Sequence, residues 1–382
     1  MNFQRRAFLP LMLAIASQAA LAQGTEGVSS TQVLIGQSIS LQGGKDEYGT
    51  AVLAGIEAYL QTANRAGGVH GRKIVLKTLD DDAKPALAEA NARKLVQQDR
   101  VFLLFGSIEG GPSTSVMKAA VDLQVPFFAP IAGSPGLRKP HQPLVFPVRA
   151  EHLEEFRALL AYAQKTGISR PAFFRADSET GRQHLSNFQA VCAALGLQAP
   201  IDLPFASSVT DAQLDEMARR IAATGAQVVI NHGSAGVYER LIRRAAALNV
   251  RTSFFDVNSG SSQLVRHLGN ASRGMVFSQV VPSPWERKTA ITREYQEAFA
   301  REKPGQDFSY GSLEGFLTAK TLVAALHLAG PKLSREQFRH ALDNGSVFDL
   351  GDRLKVTYKA GDHSGLTHVD LAIVTNDLRF RH

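Results

Sequence analysis

Between Leu41 and Asp82 the chain reads LQGGKDEYGTAVLAGIEAYLQTANRAGGVHGRKIVLKTLDDD, and this run leaves little choice of fold. A polar, glycine-bearing loop leaves a strand-like run at Val33-Leu34-Ile35. An apolar stripe follows at Val52, Ile56, Tyr59, Leu60 and Ala63, the spacing of an amphipathic helix. Gly67-Gly68 stops that helix, and a second strand at Ile74-Val75-Leu76 ends in three aspartates. The result is a βαβ unit whose first loop lies over the strand ends, where open α/β sheets bind small molecules.

The remainder repeats the alternation. Strand-like runs occur at Val101 to Phe105, Pro126 to Phe128, Val145 to Val148, Ala172 to Phe174, Val228 to Ile230, Ser253 to Phe255, Met275 to Phe277 and Leu371 to Val374. They are continuously apolar rather than alternating, as suits strands buried on both faces of a parallel sheet. The fold class is therefore α/β, with parallel sheets covered by helices. At 382 residues the chain exceeds one ordinary core, and two sheets fit it. The passage near Pro143 to Arg149 is a strand leading into a helix, which argues for a hinge between two apposed lobes. Long helical patterns follow at Glu286 to Arg301 and Gly311 to Ala329, with a shorter one at Arg335 to Leu342.

Residues 1–22 read as a cleavable export signal. Arg5-Arg6 form a positive start, the stretch from Ala7 to Ala20 is mostly apolar, and Ala20-Leu21-Ala22 supplies small residues for cleavage after Ala22. Gln4 to Leu9 also resembles a twin-arginine motif, so either the Sec or the twin-arginine route is open, and both lead to the periplasm. Losing these residues takes the formal charge from +7 to +5, with no basic run of the kind that tracks phosphates, so no nucleic-acid partner is expected. The single cysteine, Cys192, excludes an intrachain disulfide and sits on an apolar helical stripe, as a buried inert thiol. No phosphate-binding loop, dinucleotide fingerprint, nucleophile elbow or metal-binding motif is present, so neither catalysis, nor a cofactor, nor a metal is expected. Asp80-Asp81-Asp82 is read as a solvated strand end, and His363 with His368 as surface or turn residues.

The loops that follow strands are the candidates for binding. Ser40 to Tyr48 combines polar groups, glycines and one aromatic, Tyr48, placed to lie against an apolar ligand part. Gly106 to Ser113 contains Glu109, which either pairs with a ligand ammonium or stands as a solvated loop carboxylate, then Gly110 and Gly111, with Ser113 as a helix N-cap. Pro130 to Pro135 presents the small residues Ile131, Ala132, Gly133 and Ser134. The later lobe supplies Asp177 to Gly181 with Thr180, Asn231 to Gly236 with Ser234, and Asp256 to Ser262 with Asn258. For Ser234 and Ser262, helix capping and ligand contact use the same chemistry and stand as equal readings.

Tyr48-Gly49 with Gly55, Asn64-x-x-Gly67-Gly68-x-x-Gly71-Arg72-Lys73, Asp81-Asp82-x-x-x-Pro85, Pro130, Tyr310 to Gly330 and Gly361 to Leu366 together resemble the leucine/isoleucine/valine-type periplasmic solute-binding proteins of ABC importers. The likeness runs from Val33 to Phe380. It implies the periplasmic binding protein type I fold: two Rossmann-like lobes joined by a three-crossing hinge, with a ligand cleft between them. Residues 31–148 plus 281–369 would form the first lobe, and 149–280 plus 370–382 the second. The family's amino-acid clamp maps onto Gly110, Gly133, Ser234 and Asn258, where its hydroxyls, aromatic and acid are missing; Ser134 and Glu109 are the replacements at hand. An unpaired ammonium in a closed cleft is costly, which favours a small organic acid, amide or similar metabolite over a branched-chain amino acid. The implied partners are a small-molecule ligand and the ABC permease subunits of the inner membrane, with the protein a monomer. A sensor reporting to a membrane receptor uses the same fold and is the alternative.

Overall fold

The architecture is taken from a computed structural model that describes residues 26–42, 46–257, 261–351 and 354–382. The first sheet is built from β1 (Gln32–Ile39), α1 (Asp46–Arg65), β2 (Lys73–Asp80), α2 (Pro85–Gln97), β3 (Leu104–Phe105), α3 (Gly110–Asp122), β4 (Phe127–Phe128) and β5 (Val145–Phe146). Its strands are all parallel, in the order β2-β1-β3-β4-β5, with β1 paired to β2 from Gln32↔Lys73 to Ile39↔Asp80. Parallel strands need crossover helices, and the βαβ run supplies the first of them.

The second unit adds α4 (His152–Lys165), β6 (Pro171–Ala176), α5 (Glu179–Ala194), β7 (Ile201–Phe205), α6 (Asp211–Thr224), β8 (Val228–His232), α7 (Ala235–Ala247), β9 (Ser253–Asp256), α8 (Ser261–Leu268) and β10 (Val276–Gln279). The chain then runs through α9 (Ala290–Glu302), α10 (Tyr310–Leu328), α11 (Arg335–Asp343) and the antiparallel strands β11 (Ser346–Asp349), β12 (Lys355–Lys359) and β13 (Asp362–Gly365). It ends with β14 (Asp370–Val374) and β15 (Phe380–Arg381), which extend the second sheet to β15-β14-β10-β9-β8-β6-β7. Strand β14 runs antiparallel to β10, so the last segment re-enters the second sheet after the excursion through α9 to β13.

Packing explains that excursion. Helix α10 is apolar nearly all round, and such a helix is stable only when enclosed. It lies against α1, and Gly55 and Gly315 let the two backbones meet. A Cβ on Gly55 would fall 1.8 Å from the Ser312 carbonyl oxygen, and one on Gly315 would fall 2.1 Å from that of Val52. One core cluster joins α1, β1 and β4 to α9, α10 and α11. The second sheet is covered on its two faces by separate clusters, one around Tyr238 and Phe174, the other around Phe156, Phe173 and Phe188. Cys192 is in the latter, fully enclosed, and burial pushes its thiol up to about 12.

Four expectations need correction. The strand expected over Val101 to Phe105 is confined to Leu104–Phe105, because the Val101 and Phe102 carbonyls accept from the Arg335 guanidinium at 2.8 and 2.9 Å. The strand expected to run to Val148 ends at Phe146: the Pro147 carbonyl takes the Tyr358 hydroxyl at 2.9 Å and that of Val148 takes the Leu366 N–H at 2.8 Å. His363 is buried, not superficial, and bridges the Val145 carbonyl (2.9 Å) and Asp343 (2.7 Å) while stacking on Phe146. Asp81 is likewise buried, its carboxylate accepting from Ser38 at 2.9 Å and the Ala83 N–H at 3.1 Å, so the aspartate run is solvated only in part.

Candidate functional site

The carboxyl ends of the two sheets face one another across a seam. From the first lobe come the loops after β3 and β4. The Ile131 N–H donates to the Ser107 carbonyl at 2.7 Å, tying the two loops together. Buried Arg138 donates to the carbonyls of Ala132, Ser134 and Arg149, clamping the β4 loop to the first residues of the crossover. Burial holds this guanidinium down to about 10, still a cation at neutral pH. The side chains of Ile131 and Ala132 face the first lobe's cores, so only their backbone is available to the seam.

Glycines decide how close the lobes come. A Cβ on Gly110 would sit 2.4 Å from Ser134 Oγ and 3.9 Å from the Thr180 methyl, so Gly110, Ser134 and Thr180 meet there. A Cβ on Gly133 would strike His152 at 2.7 Å. Gly111 faces elsewhere, its missing side chain pointing at Pro85. Three buried hydroxyls, of Ser107, Ser113 and Ser134, have no hydrogen-bond partner among the described residues. Ser113 is not the expected N-cap: α3 begins three residues earlier, with Glu109 at the cap position, which leaves Ser113 inside the first turn. Glu109 takes φ 65° and ψ 154°, a backbone region that only glycine visits cheaply. It lies near enough to Asp81 to help raise that carboxyl to about 6, with burial as the larger cause.

In the second lobe, Asn231 is buried at the end of β8 and donates to Asp256 at 2.9 Å, and its own carbonyl oxygen has no partner among the described residues. Ser234 is exposed and caps α7 through the Val237 N–H at 3.4 Å, so of its two readings the capping one is seen. Asn258 lies outside the described residues. Thr180 is the second residue of α5, partly buried at the seam.

A buried polar chain, invisible to motif reading, crosses the seam. The Tyr48 hydroxyl donates to Glu314 at 2.6 Å. Arg149 lies 3.3 Å from Glu314 and donates to Glu155 at 3.0 Å. Glu155 also accepts from Ser278 at 2.8 Å and bonds His152 Nδ1 at 2.6 Å. Burial would raise the Glu155 carboxyl, but Arg149, His152 and the Ser278 hydroxyl hold it far below the usual carboxylate range. Burial pushes His152 down to about 3, so its imidazole is neutral. Tyr48 was expected against a ligand. Its ring does line a seam cavity of about 370 Å³, while its hydroxyl is committed to Glu314. Ser261, Ser262 and Arg266 of α8, with Trp285, Asp307 and Tyr310, are also in the wall, and Arg266 forms an ion pair with Glu47. That volume suits a small metabolite.

A model of the family described as "Periplasmic binding protein" matches residues 32–377. The chain belongs to the periplasmic binding protein family. Its solved neighbours have the type I architecture of two α/β lobes. A possible leucine/isoleucine/valine-binding protein from Rhodopirellula baltica SH 1 superimposes with a TM-score of 0.84 at 24% identity, over 94% of this chain and 98% of the other. A solute-binding protein of an ABC transporter from R. palustris, solved with benzoate, gives a TM-score of 0.76 at 19% identity over 92% and 95%. Among curated relatives, the Leu/Ile/Val-binding protein homolog 3 of Brucella melitensis biotype 1 is 28% identical over 129 residues. That alignment spans 34% of each chain, so this binding protein covers about a third of the curated relative's length. Members of the family are solute-binding proteins. None of the helices among the described residues of this one is long and apolar enough to cross a membrane.

Proposed function

We propose that this periplasmic binding protein captures a small organic acid or amide at the inter-lobe seam and delivers it to the permease of an ABC importer. In this reading residues 1–22 direct export and are removed. The mature chain works in the periplasm as a monomer, and it turns nothing over. Residues 31–148 with 281–369 move as one body and residues 149–280 with 370–382 as the other.

The observation that carries the reading is the set of three enclosed, unpartnered serine hydroxyls, Ser107, Ser113 and Ser134, gathered around the first turn of α3. Neutral donors beside backbone N–H groups at a helix start suit a carboxylate or amide oxygen. The buried carboxylates Glu155 and Glu314 are held by Arg149, His152, Ser278 and Tyr48, so neither is open to a ligand ammonium. Benzoate in the R. palustris protein shows that the fold accommodates an acid of that size.

The test is a thermal-shift screen of amino acids, aromatic acids, dicarboxylates and amides, since a compound that binds only the folded state raises the melting point. A hit among the acids or amides that Ser134→Ala weakens supports the reading. Stabilisation by branched-chain amino acids alone, undiminished in Ser134→Ala, would refute the proposed ligand class.

A further inference from the structure

Three histidines from separate elements of the second lobe converge beneath the seam: His152 at the start of α4, His184 in α5 and His232 at the end of β8. Their ring centroids are 5.2 Å (His152–His184), 4.4 Å (His152–His232) and 3.8 Å (His184–His232) apart. One nitrogen from each lies within 4.8 Å of the other two. His184 is fully enclosed beside Phe156, and neither of its nitrogens has a hydrogen-bond partner among the described residues. An imidazole left so is costly in an apolar setting, and a ligand shared between the rings removes that cost.

The neighbours favour one kind of ligand. His152 Nδ1 bonds the Glu155 carboxylate, which only accepts, so Nδ1 carries the proton and Nε2 keeps its lone pair. A carboxylate behind an imidazole is the arrangement that orients metal-binding histidines.

We propose that His152, His184 and His232 form a three-histidine site for a divalent first-row transition ion of the zinc, cobalt and nickel class. Three imidazoles leave one position of a tetrahedral ion for water or a solute oxygen. Nitrogens about 2.0–2.1 Å from such an ion sit roughly 3.3 Å apart, so the rings draw together on loading.

The test uses tag-free chain stripped with a chelator and titrated with Co²⁺ alone, without solute, so its outcome is independent of the solute proposal. One equivalent should bring up the visible absorption of four-coordinate cobalt. His184→Phe, which packs an apolar ring beside Phe156 and leaves circular dichroism unchanged, should abolish that absorption. Glu155→Gln should weaken cobalt binding roughly 10–100-fold. The absence of saturable absorption would overturn the proposal. So would absorption retained in His184→Phe, which would place the ion elsewhere, for instance at the surface pair His70 and His327, 5.1 Å apart.

Discussion

Arg149 is the cation on which the buried seam network depends, and replacing it is the most demanding test of that network. Its guanidinium is 3% exposed, with Glu155 at 0% and Glu314 at 2%. Arg149→Met keeps much of the side-chain volume but leaves two carboxylates enclosed without their counter-charge. Breaking a buried pair by removing one partner costs about 3–5 kcal/mol, mostly the desolvation of the charge left behind. A folded chain lacking residues 1–22 has an unfolding entropy near 0.75 kcal/mol per kelvin at about 2.1 cal/mol/K per residue, so the melting point should fall by about 4–7 °C. Scanning calorimetry and urea unfolding at pH 7.5 would measure this. The triple variant Arg149→Met, Glu155→Gln, Glu314→Gln removes the stranded charges and should recover most of the loss, because the three groups act as one unit. A single variant within about 1 kcal/mol of the parent would refute the reasoning, as would a triple variant no better than the single.

Three further outcomes follow from the packing. Asp81 is held up at about 6 by burial, against an ordinary 3.8, so the folded state resists its ionisation. The stability present below the lower value is lost as pH rises from about 4 to about 6, and Asp81→Asn should gain about 1–3 kcal/mol at pH 7.5 and flatten that part of the pH–stability curve. Gly55→Ala drives a Cβ into the Ser312 carbonyl and should cost more than about 2 kcal/mol, whereas Gly236→Ala, with Ser234 Oγ at 3.9 Å its only neighbour, should be neutral or up to about 1 kcal/mol stabilising. Equal effects in urea unfolding would contradict the close helix contact. Cys192 should resist a thiol reagent in the folded protein and react at once in denaturant; rapid native reaction would contradict its burial.

Much of the fold is legible in the residues because its signals are local. The stripe from Val52 to Ala63 and the glycines at 67 and 68 bound α1 and its turn, and unbroken apolar runs such as Val228-Val229-Ile230 mark strands covered on both faces. Where long-range partners decide, the reading fails. Val101 to Leu103 is as apolar as any strand, yet Arg335, more than two hundred residues later, takes the Val101 and Phe102 carbonyls. Ser113 has a capping residue's chemistry, but the helix starts earlier at two glycines that a capping argument discounts. His363 and Asp81 look like polar surface positions until Asp343 and Ser38 are folded against them.

The seam was half visible. Loops after strands could be picked out: Gly110, Ser134 and Thr180 meet, Gly133 packs on His152, and Tyr48 lines the cavity walled by α8. The Arg149–Glu155–Glu314 chain and the three histidines could not, because their members are dispersed along the chain and only the crossovers between sheets bring them together. Trp285, the sole tryptophan, was the one missed wall residue with a signal of its own: a large aromatic beside a crossover.

The measurement that bears most directly on the central claim is small-angle scattering of the chain with and without a saturating concentration of the compound that stabilises it. The radius of gyration should fall as the two lobes close on the solute, and no product should accumulate. An unchanged radius at saturation, or conversion of the compound, would contradict it.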